Sequence, residues 1–270
     1  MLFHAAEPLA WSWEPSVVAG TVLISALYAA LAGPLRRRFS WGEPVPASRQ
    51  AAFHLANLCV FVALVSPLDS LADESLFSAH MIQHMLLTFV APPLWLAGAP
   101  TWLAQKLVPI PALRRTLDRL TWPLSAFLIF NATMWAWHIP AAYNAALENE
   151  RLHTIEHLAF MATAVIGWWP VLGPWLEEYP ESESRLSTLG KAFYLFLSTF
   201  PCTGLAALIT LTPTRLYTFY GNASLQWGLS PMLDQQLGGV FMWLPGDMIF
   251  MAVLLVCLAQ WLNQAENVPT

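Results

Sequence analysis

His80 and His84 stand four residues apart, and so do His153 and His157. On a helix, residues i and i+4 share a face about 5 to 6 Å apart, so each pair can present two imidazoles to one ion. Seven histidines placed at random in 270 residues give roughly 0.2 such pairs, and this chain has two. Imidazole suits zinc, copper, iron and nickel, so the chemistry these spacings point to is metal binding. Met81, Met85, Met134 and Met242 could offer thioethers to a soft ion such as Cu(I), but methionine is also a common filler of apolar packing, which is the expected role of all but Met81 and Met85 beside the first pair. Glu156 lies inside the second pair and is a candidate partner for fixing an imidazole tautomer. His138 closes a neighbouring apolar stretch and adds a fifth imidazole, one more than a tetrahedral site takes, so it contributes to or supports the other four.

The elements that must hold these residues are set by composition. With 57% hydrophobic and 11% charged residues, the chain is excluded from the soluble globular class. Apolar runs near 14–35, 50–68, 77–98, 121–139, 152–173, 189–211 and 235–262 are each about the 20 residues that cross a bilayer's hydrocarbon core. They lack period-2 alternation, and backbone at that depth must satisfy its own hydrogen bonds, so helices are expected. The expected fold is all-α: a polytopic bundle of seven transmembrane helices forming one integral membrane domain over 1–270. The segments after the first, third and fifth runs carry Arg36, Arg37, Arg38, Arg49, Lys106, Arg114, Arg115, Arg119, Arg185 and Lys191, against Arg151 and Arg215 on the other side. The excess of positive charge on cytoplasmic loops then puts the N-terminus outside and the C-terminus in the cytoplasm. This topology brings all five histidines of the cluster to the outer side, as an exposed pool of imidazole. His4 is outside as well, and His54 sits at the opposite end. The segment 212–234 is expected to fold over the outer face. No basic residue precedes the first apolar run, so a cleavable signal peptide is not expected.

Other polar groups inside apolar runs are costly and therefore informative. Asp234, Gln235 and Gln236 precede the pair Gly238-Gly239, where close backbone packing is expected. Asp247 follows Pro245-Gly246, Cys202 follows Pro201, and Asn131 lies within the fourth run. These form either a polar thread below the histidines or interhelical hydrogen bonds that fix packing; Cys202 is a further candidate soft ligand. Cys59, Cys202 and Cys257 are too far apart for a CxxC motif or a disulfide framework. A net charge of −5 leaves no basic surface for nucleic acid. The only lysines are Lys106, in a loop, and Lys191, at the cytoplasmic end of its run, so no internal Schiff base is expected. No nucleophile elbow, P-loop or HExxH appears, and no enzymatic activity is expected.

The run His80-Met81-Ile82-Gln83-His84-Met85 with Ala91-Pro92-Pro93-Leu94 and Gly98-Ala99-Pro100 continues through Trp137-His138-Ile139-Pro140 and Tyr143-Asn144-Ala145-Ala146 to His153-Thr154-Ile155-Glu156-His157. Asp234-Gln235-Gln236-Leu237-Gly238-Gly239 and Trp243-Leu244-Pro245-Gly246 complete it. Together they resemble the CtaG family of multi-span assembly factors for caa3-type cytochrome c oxidases. The resemblance implies a bacterial inner-membrane protein that helps supply copper to the oxidase catalytic subunit, and an imidazole pool with thioether neighbours is expected to take that copper as Cu(I) from a periplasmic donor. Three other readings stay open: a haem-binding protein, a non-catalytic assembly scaffold and a copper permease. Homo-oligomerisation is also open.

Overall fold

The computed structural model describes residues 9–103, 111–174 and 186–266, and among these it is helical with no strand. His4, Lys106 and Arg185 lie outside the described residues. Helix α1 spans Pro15–Phe39, α2 Ala47–Val65, α3 Pro67–Glu74 and α4 Phe77–Gly98. Then come α5 (Pro111–Leu120), α6 (Pro123–Trp137), α7 (Pro140–Glu148) and α8 (Glu150–Leu172). Helix α9 is Thr188–Leu211, and α10 is Pro231–Glu266. Proline opens α1, α3, α6 and α7 at their first positions, where its missing N–H costs nothing and its fixed φ already suits a helix.

Six helices, α1, α2, α4, α8, α9 and α10, are long and apolar enough to cross a membrane. The seventh expected span, 121–139, is the 15-residue α6, about 22 Å at 1.5 Å per residue, and so shorter than the hydrocarbon core. The -His138-Ile139-Pro140 sequence sets its end. The residue before a proline avoids the α region, and Ile139 is accordingly extended (φ −62°, ψ 127°), leaving His138 at the helix C-cap.

The central element is α4: 61% of its apolar window is buried, against 11% for α1. It packs on α2, α3, α8 and α10, while α1 lies outside against α2, and α9 pairs along its length with α10. The core around α4 contains Phe77, Met81, Phe89, Phe130, Phe160, Trp168 and Leu195. Large side chains such as Val22, Leu23, Phe193, Phe200, Leu211 and Met248 point outward, which in a bundle of this composition is the lipid-facing surface. The close approach read from Gly238-Gly239 is present: a Cβ on Gly239 would meet the Thr210 nitrogen at 2.9 Å and the Ala206 carbonyl oxygen at 3.0 Å, both backbone atoms of α9.

Helix α4 is not uniform. Leu86–Val90 form a π turn immediately before Ala91-Pro92-Pro93. The two prolines bring no N–H, so carbonyls of the preceding turn lose their usual partners and the helix widens there. The Thr88 hydroxyl takes up the neighbouring His84 carbonyl at 2.5 Å.

Candidate metal centre

His80 and His84 project from the first half of α4, and His153 and His157 from the first two turns of α8. Both helix starts are fixed by side chains. Asn149 caps α8 by accepting from the Arg151 and Leu152 N–H groups. The cap of α4 comes from the far end of the sequence: Asp234 accepts from the Phe77 N–H at 2.8 Å, the Ser78 N–H at 3.1 Å and the Ser78 hydroxyl at 2.5 Å. A buried carboxylate at a helix N-terminus satisfies orphan donors and complements the dipole. Gln83 ties the same turn to its other neighbours through the Ala63 carbonyl and the Asp69 carboxyl.

Each of the four histidines offers a ring nitrogen such that all four nitrogens lie within 4.8 Å of one another. His138 is a ring further on, its centroid 6.0 Å from that of His84. The hydrogen bonds around His80 and His84 fix the tautomers of that pair. The Tyr220 hydroxyl donates to the Ala72 carbonyl at 2.6 Å, so its proton is committed. The Tyr143 hydroxyl, 2.9 Å from it, is then a donor to Tyr220, and Nδ1–H of His80 donates to the same oxygen at 3.0 Å. His80 Nε2 is therefore a bare lone pair, and it accepts from His84 Nε2–H at 2.6 Å. His84 Nδ1, His138 Nε2, His153 Nε2 and His157 Nε2 are all buried with no hydrogen-bond partner. Polar atoms in that state are expensive to bury, and a cation is a species that satisfies unpartnered imidazole nitrogens converging from α4, α6 and α8. The donor set thus fits a metal ion.

The pool of imidazole expected at the surface is instead enclosed. His80 is 0%, His84 3%, His138 4% and His157 7% exposed; only His153 is partly open. The reason is the 212–230 segment, which folds over the cluster as expected and lowers two tyrosines into it: Tyr220 onto His80, and Tyr217 onto the His138 carbonyl at 2.9 Å. Gln235 pins that segment, its Oε1 accepting from the Leu216 N–H at 2.7 Å and its Nε2 donating to the Thr214 carbonyl at 3.2 Å. Burial, followed by Tyr220 and Glu156, holds the Tyr143 hydroxyl well above the usual phenol range.

One side remains open. A groove of about 580 Å³ between α1 and α8 reaches His153 and His157, and its walls carry Glu14, Asp69, Asp73 and Glu150. Asp73 Oδ1 stands 3.9 Å from His153 Nδ1. Burial, then the charges of Asp69 and Glu74, push the Asp73 carboxyl well above the usual carboxylate range. Asp69 is raised by burial, partly offset by hydrogen bonds from Ser12 and Gln83.

The other residues singled out from the sequence fall as follows. Met81 is fully buried, its Cγ 3.1 Å from where a Cβ on Gly238 would stand, and Met85 lines a small cavity below the histidines. Glu156 is fully buried with both carboxyl oxygens unpartnered; the partner that sets the His80 tautomer is Tyr220. Asp234 and Gln235 position elements around the cluster, and Gln236 is half-buried on the same turn. Deeper in the bundle, Asp247 accepts from the Thr203 hydroxyl at 2.8 Å, and the Cys202 thiol lies 3.9 Å from Asn131 Oδ1, both bonds between helices. Sequence reasoning missed Tyr143, Tyr217 and Tyr220; the available signal was three tyrosines in segments assigned to the outer face.

A match to the family described as cytochrome c oxidase caa3 assembly factor (Caa3_CtaG) covers residues 26–264. An uncharacterised protein of Mycobacterium bovis and one of Mycobacterium tuberculosis are each 26% identical to this chain over 276 residues, covering 96% of it and 40% of their own length. One from Mycobacterium leprae is 24% identical with the same coverage. The chain therefore spans about 40% of the length of these curated relatives. No solved structure matches it.

Proposed function

The chain belongs to the cytochrome c oxidase caa3 assembly factor family, and from that premise we propose that it binds copper at the His80–His84–His153–His157 cluster and passes it toward the oxidase catalytic subunit. It is a multi-pass membrane protein with a four-histidine group able to hold a metal ion. The proposed setting is the bacterial inner membrane, with a single membrane domain, a non-enzymatic role, and a periplasmic protein as copper donor. The observation that carries the reading is the convergence of four imidazoles from α4 and α8, with buried nitrogens left unpartnered. Imidazole alone admits zinc as readily as copper, and the oxidase connection favours copper.

Seven crossings with the N-terminus outside remain the proposed topology. The short α6 ends at His138 beside His84, so its C-terminal end reaches the same depth as the cluster. The acidic groove at His153 and His157 supports delivery from the side, since it is large enough for a partner's side chain or short segment and attracts cations. His138, Met81 and Met85 are proposed as supporting ligands, and Glu156, Asp234, Gln235, Gln236, Cys202 and Asp247 as supporting polar groups.

The haem alternative is disfavoured by spacing. Axial histidines must leave a slot for a porphyrin between them, whereas His80 and His84 touch nitrogen to nitrogen at 2.6 Å. The test is metal per chain and the visible spectrum of detergent-purified protein after loading with Cu(I) or Zn(II), for wild type and for His84→Ala/His157→Ala. Copper bound by wild type and lost in the double variant is the expected result. A Soret band, or equal copper in both proteins, overturns the reading.

A further inference from the structure

Beneath the four-histidine cluster lies a second convergence of donors. His84, His138, Met85, Met134, Met242 and Cys202 help to line a cavity of about 10 Å³, room for a single water-sized body and for no organic ligand. The side chains come from α4, α6, α9 and α10, so four segments distant in sequence bring three thioethers, a thiol and two imidazoles to one point.

The hydrogen bonds give those imidazoles a definite state. His138 Nδ1–H donates to the Met134 carbonyl at 2.7 Å, which leaves Nε2 as a lone pair, buried and without a partner. His84 spends its Nε2–H on His80, which leaves Nδ1 as a lone pair, also buried and without a partner. Two unpartnered lone pairs in a sulfur-rich cavity are a poor setting for an apolar void and a good one for a soft cation.

We propose that this cavity is a second metal site, specific for a soft monovalent cation, with Met85, Met134, Met242 and His138 Nε2 as its principal ligands. His84 lies between the two sites: with its proton on Nε2, shared with His80, Nδ1 is the lone pair left for the cavity below, and moving that proton to Nδ1 frees Nε2 for the cluster above, so an ion changes sites together with a change of tautomer on one ring. The ligands are neutral, and the Cys202 thiol is turned toward Asn131 Oδ1 at 3.9 Å. A divalent ion would bring twice the uncompensated charge into the bundle interior, so Cu(I) and Ag(I) are admitted and Zn(II) is not. The inference rests on the copper reading for the natural ion, but not for the existence of the site.

The test uses the purified chain loaded with Cu(I) under reducing conditions, with Ag(I) and Zn(II) as parallel probes. Metal per chain and copper K-edge absorption are measured for wild type, Met134→Leu/Met242→Leu and His153→Ala/His157→Ala. Leucine keeps the volume and removes the sulfur, so the first variant is expected to fold. The expected result is sulfur scattering in wild type. In the methionine variant the sulfur signal and about one Cu(I) or Ag(I) per chain disappear while zinc binding is unchanged. The His153→Ala/His157→Ala protein should retain the sulfur signal. Should that variant also bind as much metal as wild type, the outer cluster fails and the inner site stands. A shell of nitrogen alone in wild type, unchanged stoichiometry in the methionine variant, or no Cu(I) or Ag(I) bound at all overturns the inner site.

Discussion

The Tyr220 hydroxyl accepts Nδ1–H of His80 across 140 residues of sequence, and by doing so leaves the opposite ring nitrogen of His80 bare. That oxygen also receives the Tyr143 hydroxyl and gives its own proton to Ala72, so a single phenol closes a network between α3, α4, α7 and the covering segment.

Tyr220→Phe removes that acceptor while keeping the ring. Partners that orient a metal-binding histidine typically contribute a factor of about 10 to 100 in affinity, so copper should bind weaker by that range with helix content unchanged. Competition against a coloured Cu(I) chelator reads the change. An affinity within twofold of wild type would mean that His80 does not need this tautomer to be fixed.

Asp234→Ala strips three donors of their acceptor at the start of α4. Loss of a cap costs about 0.5 to 2 kcal/mol, and the buried setting puts this one at the upper end or beyond. A lower melting temperature in detergent and reduced copper occupancy are expected together, since the same turn carries His80. Asp234→Asn keeps one acceptor and should fall between. A stable Asp234→Ala protein with full copper binding would show that α4 is held by packing alone.

Two glycines of α10 should respond oppositely to alanine. A Cβ on Gly239 meets backbone of α9 that cannot yield, so α9 and α10 must part, at a cost of about 1 to 3 kcal/mol. A Cβ on Gly246 meets the Met85 methyl at 3.4 Å and the Phe89 ring at 3.8 Å, ordinary contacts, so Gly246→Ala should be near neutral. Unfolding curves of the two purified variants make the comparison, and equal stability would contradict the close contact at Gly239.

Orientation can be read by labelling. Leu225 (56% exposed) lies in the covering segment and Leu113 (42% exposed) in the arginine-rich α5. In intact cells a membrane-impermeant maleimide should modify Leu225→Cys, and Leu113→Cys only after permeabilisation, with the native-cysteine protein as background. The reverse pattern would invert the topology.

The features that depend on period were legible in the sequence. Apolar runs near 20 residues marked α1, α2, α4, α8, α9 and α10 because a bilayer demands that length, and i,i+4 spacing marked the histidines because one helix turn places them together. The features that depend on distant partners were not. Nothing local distinguishes Asp234 as the cap of a helix 157 residues earlier, or Tyr220 as the neighbour of His80. Burial was misjudged for the same reason: a histidine at a helix end faces water unless another segment covers it, and 212–230 does so through tyrosines whose role emerges only in three dimensions. The shortness of α6 was local, set by Pro123 and by the proline after Ile139.

The π turn at Leu86–Val90 accommodates one residue more than an α-helix would in the same length. Each residue advances an α-helix by about 100°, so the turn works as a phase shifter: His80 and His84 above it and Trp95 and Gly98 below it are set on faces that a uniform helix could not present together. The upper half of α4 is thereby tuned to the metal-binding face and the lower half to α1 and α2, where Gly98 accepts from Tyr28 and Trp95 donates to Asn57. Alignment of the donor cluster with the rest of the bundle therefore depends on residue count as well as residue type: a single deletion between 86 and 90 leaves every ligand in the sequence and turns two of them away from α8.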